Sequence, residues 1–114
     1  MAFPGIEKRY FPRIKLQRPL HYQIRGVPEF NNAIGDDISL GGMSLINNKF
    51  IAPQTLVSLK INILSRILNP TAKIAWSSLV QKSDRYRLGI QFLEIDLQEK
   101  RYLSEYINMQ TQRF

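Results

Sequence analysis

From about residue 15 to residue 95 the chain repeatedly alternates apolar with polar residues, and a period of two fits a strand with one buried face rather than a helix. In KLQRPLHYQIR, Leu16, Leu20, Tyr22 and Ile24 share one face, while Lys15, Gln17, His21, Gln23 and Arg25 take the other. Pro19 cannot donate to a ladder, so it belongs on an edge or at a bulge. In TLVSLKINIL, Val57, Leu59, Ile61 and Ile63 alternate with Ser58, Lys60 and Asn62. In TAKIAWSS, Ala72, Ile74 and Trp76 share a face, which reads as core. In RYRLGIQFL, Tyr86, Leu88, Ile90 and Phe92 alternate with Arg87, Gly89 and Gln91. The segments between them (GVPE, NNKFIAPQ, NP, QKSD) carry turn residues. Five or six half-buried strands with short connections describe an antiparallel barrel or sandwich, and closure into a barrel also disposes of exposed edges.

At residue 96 the period changes. Asp96 followed by Glu99 resembles a capping box. Leu103, Tyr106 and Ile107 then follow helical spacing, predicting a helix over 96–110 that lies on the barrel and buries them with Tyr102. Residues 1–13 show no sustained period, and Pro12 disfavours a helix around Phe11, so residues 1–14 are expected to form a mobile arm.

Charge is concentrated in the first 25 residues. The net charge is +7 with a pI near 10.0. Residues 1–25 hold Lys8, Arg9, Arg13, Lys15, Arg18 and Arg25 against Glu7 alone, a local net of +5. Such a distribution favours an anionic partner. The absence of cysteine removes disulfides, thiol catalysis and thiolate metal sites, and a single histidine, His21, gives no basis for a zinc centre. No paired acids or activated nucleophile stand out, so a binding protein is expected and not an enzyme, with no cofactor. No apolar run reaches the ~18 residues of a membrane span, and the first residues lack a signal-type apolar stretch, so a cytoplasmic protein is expected without membrane insertion.

One stretch breaks the strand pattern. DDISLGGMSL, residues 36–45, places two acids, a serine and two glycines where a strand meets a turn. Strict alternation over AIGDDIS puts Ala33, Gly35, Asp37 and Ser39 on an outer face, with Ile34, Asp36 and Ile38 inward. The outer face is then a smooth platform carrying one carboxylate and one hydroxyl, and glycine lets a ligand approach the backbone closely. Guanine suits it: N1–H and N2–H2 donate to a carboxylate, while O6 and N7 accept from an arginine fork that also pairs with phosphate.

These residues carry a family resemblance. RYFPR reads Arg9-x-x-x-Arg13 and DISLGG reads Asp37-x-Ser39-x-x-Gly42, which resemble, in order, the RxxxR and [D/N]xSxxG motifs of PilZ domains. The likeness extends over nearly the whole chain, through the AW strand, LGIQF and the helix. It implies an all-β fold, a six-stranded antiparallel β-barrel with the basic arm (1–14), the barrel (15–95) and the helix (96–110) forming one PilZ domain, here a stand-alone member. It also implies a bacterial receptor for cyclic di-GMP. Arg9 and Arg13 would grip phosphate or guanine, Asp37 would accept from a guanine edge, Ser39 would bond the ligand or the arm, and Gly42 would hold the turn. Lys8, Gly41, Trp76 and Gln91 would flank the ligand. Such receptors act as adaptors to protein partners in motility, biofilm or exopolysaccharide control. Two other readings stand beside it. One is a family member that serves only protein interaction. The other is a basic barrel for single-stranded nucleic acid, which the inward-facing strand aromatics disfavour.

Overall fold

The computed structural model describes residues 11–111. Lys8, Arg9 and the rest of the expected arm up to residue 10 lie outside the described residues. Among the described residues there are seven strands: β1 (Ile14–Ile24), β2 (Asn31–Ile38), β3 (Gly42–Asn47), β4 (Leu56–Ile63), β5 (Arg66–Leu68), β6 (Thr71–Leu79) and β7 (Tyr86–Glu94). A helix, α1, follows at Leu97–Thr111. The sheet runs β1-β2-β3-β7-β6-β4, all antiparallel, and β1 pairs with β4 through His21–Ile24. That last pairing closes a six-stranded barrel, as expected. β5 is an additional strand, folded back on Ile61–Ile63 of β4.

The barrel encloses the residues that the alternation selects. Leu20, Ile38, Leu45, Leu59, Ile61, Ile63, Ile74 and Leu88 are almost fully buried, and each such aliphatic side chain contributes roughly 1.5–3 kcal/mol relative to an exposed one. β4 follows the alternation residue by residue, with Val57, Leu59, Ile61 and Ile63 inside and Ser58, Lys60 and Asn62 outside. Pro19 lies where β1 pairs with β2 only, immediately after an irregularity at Lys15–Arg18 in which Gln17 adopts positive φ. It therefore removes no ladder bond to β4.

Helix α1 packs Leu103, Tyr106 and Ile107 into the core. Tyr102 is half-buried, and its hydroxyl donates to the carbonyl of Ile63 at 3.0 Å. Asp96 caps the helix by accepting from the amides of Gln98 and Glu99. The other half of the capping box does not form. Glu99 accepts from the amide of Asn69 at 2.9 Å, tying the first turn of α1 to the β5–β6 connection.

In two strands a register irregularity moves residues off the face that alternation assigns them. In β2, Gly35 pairs with Leu45 and Asp37 with Ser44, so Asp36 is an extra residue, a β-bulge. Ala33 and Gly35 face the core, Ile34 is 45% exposed, Asp36 and Asp37 both turn outward, and Ile38 returns inward. The expected inward Ile34, the expected outer platform of Ala33 and Gly35, and the opposed faces of Asp36 and Asp37 are thereby corrected. In β6, Ile74 pairs with Ile90 and Trp76 with Gly89, which leaves Ala75 as the extra residue. Trp76 is therefore moved from the expected core face to the outside, where it is 41% exposed.

Gly42 is required by the barrel itself. Among the described glycines only Gly26 has positive φ, so Gly42 is not a turn conformer. A Cβ on Gly42 would collide with the carbonyl oxygen of Ile90 on the neighbouring strand. Because backbone cannot yield as a side-chain tip can, Gly42→Ala is expected to destabilise the fold by about 1–3 kcal/mol, the usual range for overpacking. Chemical denaturation of the variant checks this: an unchanged midpoint would mean that β3 and β7 can separate without cost.

Candidate ligand-binding site

The two bulges bring one outward row of side chains into line across five strands. Lys15 pairs with Asp37, Asp37 with Ser44, Ser44 with Gly89, and Gly89 with Trp76. At about 4.8 Å per strand the row spans roughly 19 Å. Its middle is low, since Ser44 and Gly89 add little height, and its ends are tall. On β7, Arg87 and Gln91 stand outward on either side of Gly89. The result is a groove of about 550 Å³, within the usual range for small-molecule sites.

The indole of Trp76 forms one wall. It lies across Gly89 so closely that a Cβ there would overlap the ring. Glycine at this position therefore makes room for an aromatic plane, not for a ligand. The other end is polar. Arg13 Nε and Nη2 both donate to Oδ1 of Asp37, at 3.2 and 2.8 Å, and the Ser44 hydroxyl donates to the same oxygen at 3.0 Å. Oδ2 of Asp37 takes none of the hydrogen bonds among the described residues. Burial pushes the Asp37 carboxyl up. The bonds from Arg13 and Ser44, with the charges of Arg13 and Lys15, outweigh that and hold it below the ordinary carboxylate value.

The β2–β3 turn supports this end. The Ser39 amide donates to the carbonyl of Gly42 at 2.8 Å, and the Ser39 hydroxyl accepts from the Gly41 amide at 3.2 Å. The same hydroxyl donates to the Gly42 carbonyl at 3.3 Å. Ser39 is buried and spends its side chain on the turn. Phe11 packs its ring against Gly41, which brings the described start of the chain onto the turn.

Arg13, Asp37, Ser39, Gly41, Gly42, Trp76 and Gln91 all line this one groove. Lys8 and Arg9 are outside the described residues. Sequence reasoning missed Phe11, Ser44 and Arg87, which line it as well. Two of the three were accessible to it: Ser44 lies two residues from Gly42, and Arg87 two residues from Gly89, each sharing an outward face. Among the described residues no group of three or more His, Cys, Asp or Glu is placed to hold a metal ion. No helix among them is long and apolar enough to cross a membrane.

Comparison with known proteins follows the same architecture. The PilZ domain family model matches residues 7–109. Among solved structures, the Bacillus subtilis inhibitor of motility MotI/DgrA superposes with a TM-score of 0.72 at 18% identity, covering 91% of this chain and 52% of its own. The PilZ domain of Escherichia coli YcgR, solved with c-di-GMP, gives a TM-score of 0.68 at 19% identity, covering 90% of each chain. Borreliella burgdorferi PlzA in complex with c-di-GMP gives 0.64 at 17% identity, covering 90% of this chain and 42% of that one. At such identities the likeness carries the fold, and the chain spans about half the length of the Bacillus protein. No curated protein matches the sequence.

Two outcomes follow from the geometry. A carboxyl whose folded pKa is depressed contributes stability above its unfolded value near 4 and loses it as pH falls through the folded value. Carbon-detected NMR titration should place the Asp37 midpoint below that of a free aspartate, and Arg13→Ala should raise it. Trp76 is the sole tryptophan, so Gly89→Ala, which must displace the indole, should shift its fluorescence emission. An unchanged spectrum would show that the ring does not rest on Gly89.

Proposed function

Because this chain belongs to the PilZ domain family, we propose that it is a receptor for cyclic di-GMP, a binding module that holds the nucleotide in the groove between Arg13 and Trp76. The observation that carries this reading is the Arg13–Asp37 pair, which sets an ionised carboxylate and a guanidinium side by side at the end of a groove with an aromatic wall. Oδ2 of Asp37 accepts from the Watson–Crick edge of a guanine. Arg13 uses two of its five N–H donors on Asp37, and the remainder serve phosphate or the O6/N7 edge. The Trp76 face flanks the base. Gly41, Gly42 and Ser39 hold the platform, and Gln91 borders it. Arg9, by its place in the motif, and Lys8, just before it, add cations from the arm.

The c-di-GMP complexes of YcgR and PlzA support this choice of ligand. In this reading residues 1–14 act as the responsive arm of a domain whose barrel is 15–95 and whose helix is 96–110. Phe11 and Arg13 already rest on the groove; ligand draws the rest of the expected arm onto it, and the arm so placed is the surface a protein partner reads. Ordering costs on the order of 1 kcal/mol per residue, which the charge-assisted bonds offset. The fold likeness to an inhibitor of motility supports an adaptor role in motility control; biofilm or exopolysaccharide control and a cytoplasmic location belong to the same proposed reading.

Isothermal titration tests the reading. Cyclic di-GMP should bind selectively over GTP and cyclic di-AMP, with the curve giving one or two nucleotides per chain. Arg13→Ala removes a charged hydrogen-bond donor worth about 1.5–3 kcal/mol, or about 10–100-fold in affinity. The Arg13–Asp37 pair is partly exposed, so the melting temperature should fall by only a few degrees. A silent titration of folded wild-type protein returns the chain to a protein-interaction module.

A further inference from the structure

The bulge at Asp36 organises a second arginine that the motifs do not include. Asp36 is buried, yet as the extra residue of β2 it points outward beside Asp37. Its Oδ2 accepts from Nη1 of Arg87 at 2.5 Å, and Lys15 Nζ lies 3.8 Å from Oδ1. Arg87 pairs with Ile46 on β3, and β2 lies beyond β3. Its side chain must therefore cross β3 to reach Asp36, forming a flank of the groove beside Ser44. Arg87 is 42% exposed, and one of its five N–H donors is committed among the described residues.

Charge decides what this arginine meets. Arg13 and Asp37 neutralise each other, whereas Asp36 is shared by two cations, Arg87 and Lys15. The described end of the groove is therefore net positive on the Arg87 side. With Asp37 turned to the donor edge of a base, the excess cation is matched by the anionic part of the same ligand.

We propose that Arg87 is a further ligand-binding residue, donating to a phosphate oxygen of the cyclic dinucleotide, and that Asp36 is its positioning residue. The assignment rests on the receptor reading above and extends it beyond the two motifs. Two consecutive carboxylates then aim two guanidinium groups, one from the stem of the arm and one from β7, at one nucleotide.

Titration of the full chain with cyclic di-GMP and cyclic di-AMP, at low and raised salt, tests it. Arg87→Ala should weaken cyclic di-GMP binding about tenfold or more. Arg87→Lys should recover part of the loss, because a point charge still meets phosphate. The loss should shrink as salt rises, and preference for cyclic di-GMP over cyclic di-AMP should persist, since both carry the phosphates. Asp36→Asn should weaken binding less than Arg87→Ala. If Arg87→Ala does not fold, the double variant Asp36→Asn/Arg87→Gln removes both charges without an orphaned carboxylate and should show the same loss. Wild-type affinity in a folded Arg87→Ala or double variant overturns the proposal and leaves the receptor reading intact. Loss of guanine preference without salt dependence overturns the phosphate assignment. Absence of binding by wild-type protein overturns both readings.

Discussion

Within a closed barrel, a strand that buries both Gly35 and Ile38 can present two consecutive carboxylates outward only by bulging between its inward residues. Asp36 is that extra residue. Its insertion turns Asp37 toward Ser44 and Arg13, aims Asp36 at Arg87, and restores Ile38 to the core. Without the bulge, a carboxylate next to the core-facing residues would be driven into an apolar interior at a cost of several kcal/mol. The polar end of the groove thus depends on a defect in the ladder, and the barrel tolerates that defect because the strands on both sides remain paired.

The second bulge, at Ala75, does the same for the other end. It carries Trp76 over the β-strand that the ligand-facing row must cross, and Gly89 leaves the height that the indole fills. The floor between the two ends is narrow for another reason: β3 and β7 approach so closely at Gly42 and Ile90 that no side chain fits between them. Close backbone packing, two bulges and a turn locked by the Ser39 hydroxyl make the barrel side of the groove rigid. Arg13, one residue before β1, joins that surface to the basic segment ahead of it.

Much of this was legible in the sequence, and the places where legibility ended share a cause. β4 could be read residue by residue because it pairs in register over its length, so hydrophobic period and burial coincide. The helix was legible from its cap and its spacing, although Glu99 serves the β5–β6 connection and not the cap. Asp37 and Arg13 were legible through their motifs. Ile34, Asp36 and Trp76 were misplaced by alternation, since a bulge shifts parity by one and carries no sequence marker as strong as the period it interrupts. Gly42 was legible as necessary, but for a ligand's approach or the turn, where the neighbouring strand supplies the need.

The sequence by itself determined an all-β class of half-buried antiparallel strands, a capped helix after them and the excess of positive charge at the start of the chain, while the closed barrel and the pairing of the two motifs came from the family resemblance. The first three are set by local chemistry: side-chain period, capping, turn residues and charge. Only the tertiary structure decided which residues meet. It ran Lys15, Asp37, Ser44, Gly89 and Trp76 in one row across five strands, put Arg87 on Asp36, and gave Ser39 to the turn. Register and bulges are properties of strand pairs, and a pair exists only once the chain has closed on itself.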